Sequence, residues 1–155
     1  MITRKAKLLL SLTAAIPLLF AACTDNGIFD PNDDVAGTYD LTVFANGSVG
    51  RTFTVAPGDD PELPNGGTAR IDDGSLVLNA NGTFTETNSF TKTHANGQSF
   101  LSDFVSVGTF TVNGNQLTLS ANAQNGFGPR FIGGTIEFDT ISYIEGGFAY
   151  EYRRF

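Results

Sequence analysis

Few residues in this 155-residue chain have types that do chemistry, so each can be weighed. There is one cysteine, Cys23, and one histidine, His94. A disulfide needs a second cysteine, and a zinc site built on Cys and His lacks its ligands. His94 precedes Ala95-Asn96-Gly97, a hairpin-tip sequence, so an exposed turn residue is expected rather than a general base with an orienting acid. Asp59-Asp60 and Asp72-Asp73 read as solubilising turn acids. Asp30-Pro31-Asn32-Asp33-Asp34 has the opening spacing of a calcium loop, but Val35 stands where the sharp turn needs Gly and Leu41 where the bidentate acid belongs. No G-x-S-x-G elbow, P-loop or H-E-x-x-H occurs, so no enzyme and no cofactor is expected. Glu86 differs from the other acids: it shares a strand face with Phe84 and Phe90, so either it points into the interior, where a carboxylate needs a cation partner or a raised pKa, or a bulge or barrel end puts it in water.

The elements around Cys23 explain its position. Arg4, Lys5 and Lys7 open the chain, and Leu8–Phe20 is an apolar run of 13 residues. Small Ala21 and Ala22 come next, then Cys23 and polar Thr24-Asp25-Asn26-Gly27. A basic start, a short apolar stretch and small residues make a secretory signal. A membrane-spanning helix needs about 20 apolar residues, and Pro17 interrupts this run. Leu19-Phe20-Ala21-Ala22-Cys23 resembles the lipobox of bacterial lipoproteins. The resemblance implies cleavage before Cys23, with lipid on its thiol and on the new amino group. The protein would then be exported and lipid-anchored in the bacterial cell envelope, on the periplasmic face or at the outer membrane. Residues 1–22 would be the signal peptide, residues 23–36 a polar, turn-rich tether, and residues 37–155 the folded domain.

Removing residues 1–22 takes away three positive charges and no acid, so the net charge moves from −7 to −10. Such a surface repels nucleic acid, and no nucleic-acid partner is expected.

From Gly37 onward, apolar and polar residues alternate between turn signals. Asn-Gly recurs at 46–47, 65–66, 81–82, 96–97, 113–114 and 125–126, and Asp73-Gly74 adds a seventh. Asn-Gly accepts the positive φ of tight hairpin turns. The strands expected are Thr38–Ala45, Thr52–Val55, a short edge strand Ala69–Asp72, Ser75–Asn79, Thr83–Thr93, Phe100–Val112, Gln116–Ser120, Phe131–Phe138 and Phe148–Arg153. Residues 57–67, with Pro57, Pro61 and Pro64, form a loop. The fold class is therefore all-β: an antiparallel up-and-down meander of about eight or nine strands. A twisted sheet of that length is expected to remove its edges by closing into a barrel, with a flattened barrel or a two-sheet sandwich as the alternative. An integral outer-membrane barrel fits poorly, because the expected outer faces carry Thr, Asn, Asp and Glu.

The order of these segments resembles small bacterial lipoproteins with a lipocalin-like domain. The resemblance is carried by Gly37-Thr38-Tyr39-Asp40-Leu41, by the stretch from Gly74 to Phe84, by the stretch from Gly108 to Leu119, and by Tyr150-Glu151-Tyr152-Arg153-Arg154. It implies a lipocalin-like β-barrel with an apolar interior. It also implies that an Arg from the last strand, Arg153 or Arg154, packs on the ring of Tyr39.

The expected function is that of a non-catalytic envelope lipoprotein, a monomer anchored through acylated Cys23, whose barrel binds a small apolar ligand. The interior candidates are Phe84, Glu86, Phe90, Phe104, Phe110 and Tyr150. Phe138 and Phe148 join the aromatics that either fill a core or line a pocket. The alternative is a structural or protein-interaction module of the envelope with a solid barrel core.

Overall fold

Alternating β-branched and aromatic residues between Gly-rich turns produce ten strands in the computed structural model, which describes residues 34–122 and 128–155. They are β1 Gly37–Phe44, β2 Gly47–Ser48, β3 Thr52–Val55, β4 Gly67–Leu78, β5 Thr83–His94, β6 Ser99–Asn113, β7 Gln116–Ala121, β8 Arg130–Glu137, β9 Thr140–Glu145 and β10 Phe148–Arg153. Every pairing is antiparallel, in the order β2-β1-β10-β9-β8-β7-β6-β5-β4-β3. The first half of β1, Gly37–Asp40, also pairs with Leu78–Ser75 of β4. That contact closes an eight-stranded lipocalin-like barrel from β1 and β4–β10, with β2 and β3 as additional strands. Past Asp40, β1 parts from β4, and β3 takes over the free edge of β4 through Thr52–Val55. The domain thus avoids a long exposed edge.

Three local expectations are corrected. Asp73-Gly74 is not a hairpin turn, and the stretches on either side of it form one strand, β4, with a register shift between Ile71 and Asp73. Gly74 is there for close approach. A Cβ on it would lie 2.9 Å from the Leu41 side chain and would clash with Asn88 Oδ1. The chain end holds two strands where one was expected after Phe138, because β9 separates β8 from β10. Phe138 itself neither fills the core nor lines a pocket. It sits in the β8–β9 turn at φ 54°, and its side chain is 98% exposed. Its aromatic ring gains nothing from burial, and its backbone occupies a region that costs an L-residue about 1–2 kcal/mol. Phe138→Gly is therefore expected to stabilise the domain by about 1 kcal/mol, seen as a rise in denaturant midpoint at constant slope. An unchanged or lower midpoint contradicts this account of the turn.

The two ends of the barrel differ. At one end lie the start of β1 and the β4–β5, β6–β7 and β8–β9 turns, laced by bonds from Phe110 N to Gly82 O and from Ile136 N to Asn115 O. This end is filled. Tyr39, Leu76, Leu78, Phe84, Phe110, Leu117, Leu119 and Ile141 are all buried in one cluster. Fully burying side chains of this size contributes about 1.5–3 kcal/mol each. Arg154 caps the filled end, with its guanidinium carbon 5.5 Å from the centre of the Tyr39 ring. The Tyr39 hydroxyl donates to Val35 O at 2.7 Å. Between the two arginines the sequence left open, strand alternation decides: Tyr152 points in, so Arg153 points out, and Arg154, just past the strand, is free to fold over Tyr39. Leu41, buried in the same core, is no calcium ligand.

Candidate site at the open end of the barrel

The other end carries the β5–β6 and β9–β10 turns and the loop between β3 and β4. That loop, residues 56–66, is held by two kinds of contact. Leu63 is buried in a small cluster with Val55 and Ala69. Lys92, reaching from β5, meets Asp60 Oδ2 at 2.7 Å and Glu62 Oε2 at 2.6 Å. The Ser102 hydroxyl also donates to Glu62, at 2.5 Å. These hydrogen bonds from Lys92 and Ser102 hold the Glu62 carboxyl below its usual titration range.

Midway along the barrel lies a polar layer built around Glu86, which is 0% exposed. Its Oε1 accepts from the Tyr143 hydroxyl at 2.5 Å, the Tyr152 hydroxyl at 2.8 Å and Asn88 Nδ2 at 2.9 Å. Its Oε2 accepts from Arg130 Nη1 at 2.9 Å. The single Tyr152 hydroxyl proton is shared with Asn88 Oδ1, 3.0 Å from the same oxygen. Arg130 is a bridge, because it also makes a two-pronged pair with Glu145, through Nε at 2.6 Å and through Nη2. Every oxygen of the buried carboxylate is therefore satisfied, as a low-dielectric site demands. Burial works to lower the Arg130 pKa, but its bonds and charge pairing with Glu145 and Glu86 more than offset this, and the guanidinium is held charged. Burial, reinforced by the charge of Glu86, pushes the hydroxyls of Tyr143, Tyr150 and Tyr152 above the usual phenol value.

Above this layer the barrel is hollow. A cavity of about 1070 Å³ lies among Phe44, Phe53, Phe90, Phe104, Phe148 and Tyr150. Phe44 organises the aromatic wall, stacking on Phe148 at 5.3 Å and meeting Tyr150 edge-on at 5.0 Å. Asn88, Arg130, Lys92 and several acids supply its polar lining. The interior is thus filled at one end and hollow at the other.

Of the candidate residues, Phe90, Phe104 and Tyr150 line the cavity, and Glu86 forms the layer beneath it. Phe84 and Phe110 lie in the filled half, 1% and 3% exposed. His94 is partly buried, its ring stacked on Phe100 at 4.9 Å, and it does not line the cavity. Cys23 lies outside the described residues, as do the signal peptide, nearly all of the tether and the Asn-Gly at 125–126. Arg130, Glu145, Lys92 and Tyr143 are site residues that sequence reasoning missed. Strand parity places three of them once the bounds of β8 and β9 are known. Ile132 faces inward, so Arg130 does too; Ile141 faces inward, so Tyr143 and Glu145 follow.

Among the described residues no group of three or more His, Cys, Asp or Glu is placed to hold a metal ion. Comparison with family models, curated proteins and solved structures finds no match.

Proposed function

We propose that the protein is a non-catalytic lipoprotein of the bacterial cell envelope whose barrel carries a small hydrophobic molecule in its open half. The observation that carries this reading is the cavity of about 1070 Å³, walled by aromatic rings above a fully satisfied polar layer. A space of that size, mostly apolar with a few placed polar groups, is the usual form of a small-molecule site. The cavity is what favours a carrier over a solid interaction module. The anchor rests on the lipobox-like Leu19–Cys23 sequence. β1 begins at the filled end, so the tether of residues 23–36 joins the barrel opposite its mouth. On an anchored protein that arrangement leaves the mouth free on the side away from the tether.

Acylation places more than one chain on the cysteine, and stable anchoring needs at least two such signals. Cys23→Ala is therefore expected to move the protein from the membrane fraction to the soluble fraction of its host. Retention in the membrane overturns the anchor. Whether the protein leaves its host loaded tests the cargo.

A further inference from the structure

The cavity wall is aromatic, but its charges are one-sided. Asp59, Asp60, Glu62 and Glu145 line it, against Lys92 and Arg130. Both cations are already committed. Lys92 is within 2.7 Å of Asp60 and Glu62, and Arg130 pairs with Glu86 and Glu145. Each trio of one cation and two carboxylates keeps a net negative charge. A ligand carboxylate or phosphate entering here meets no cation among the described lining residues that is free of two acids. A ligand cation meets net negative charge and ring faces.

Ring faces attract cations through their quadrupole. Two rings already do so, with Arg130 4.8 Å from the centre of Phe104 and the Lys92 ammonium 5.7 Å from that of Phe90. Phe44, Phe53, Phe148 and Tyr150 form a second cluster, with neighbouring ring centres 5.0 to 5.6 Å apart. Low-dielectric walls bearing charge of one sign focus the field into the cleft.

From this juxtaposition of an aromatic wall with unbalanced acids, we propose that the ligand is an organic cation, an apolar body carrying an amine or quaternary ammonium group. The inference rests on the reading that the cavity holds an apolar molecule, and it excludes the fatty-acid class.

Three probes with the same alkyl chain separate the possibilities: decanol, decyltrimethylammonium and decanoate. Each is titrated below its micelle concentration into the mature chain carrying Cys23→Ala, which needs no detergent. The ammonium compound is expected to bind about tenfold tighter than the alcohol at low salt, with decanoate the weakest. Added salt should narrow the gap between ammonium and alcohol while leaving the alcohol unchanged. If the alcohol binds and the ammonium compound binds no tighter, or decanoate binds best, the cation is overturned and the apolar cavity stands. If none of the three binds, the carrier reading fails and the cation falls with it.

Discussion

Glu86→Ala is expected to cost the domain about 3–5 kcal/mol, the usual effect of breaking a buried ion pair by removing one partner. Glu86 has no solvent exposure and accepts four hydrogen bonds, from Asn88, Tyr143, Tyr152 and Arg130. Truncation leaves those donors without their acceptor, and each unsatisfied buried group costs about 1–3 kcal/mol. Arg130 would keep only Glu145. Domains of this size are stable by about 5–15 kcal/mol, so the variant stands near the edge of folding. Glu86→Gln, which keeps an acceptor oxygen for the tyrosines, should lose less. The double variant Glu86→Leu with Arg130→Leu should recover part of the loss, because a hydrophobic replacement leaves no orphaned charge. Denaturant midpoints of the three variants check the series. A loss below about 1 kcal/mol for Glu86→Ala would show that the polar layer does not hold the barrel.

The second large effect is alkaline unfolding. The hydroxyls of Tyr143, Tyr150 and Tyr152 all titrate above their ordinary value, through burial first and the charge of Glu86 second. In the unfolded chain they lose their protons near pH 10. Above that pH the unfolded state binds fewer protons than the folded one, so stability falls as pH rises. The contribution is fully present below about pH 10 and is lost at roughly 1.4 kcal/mol per pH unit for each tyrosine, about 4 for the three. The domain should therefore unfold within about one to three pH units above 10, with phenolate absorbance and loss of β-sheet circular dichroism rising together. Phenolate appearing near pH 10 in an intact barrel contradicts the burial of these hydroxyls.

How much of this was legible beforehand follows from the range over which each signal acts. The inward face of β5, with Phe84, Glu86, Asn88 and Phe90, could be read because a strand repeats every two residues. So could the unusual status of Glu86. Its partners could not: Tyr143 and Tyr152 are 57 and 66 residues away and meet it only because the barrel closes. β9 was hidden because the turn before it, Phe138-Asp139, contains no Gly and presents a Phe that looks like one more inward residue. Asp73-Gly74 misled in the opposite direction. A Gly required by a turn and a Gly required by a neighbour's side chain are the same letter, and only the contact with Leu41 and Asn88 distinguishes them. The choice between a filled and a hollow barrel depended on which Phe residues fell on which side of the polar layer. Composition carries no such information.

The central claim is that the hollow half of the barrel is a binding site, and the most direct measurement is native mass spectrometry of the Cys23→Ala protein purified from its own host without detergent. The account predicts a population heavier than the chain mass by one small organic molecule. A single species at the bare chain mass, from protein that also takes up none of the alkyl probes, would contradict it.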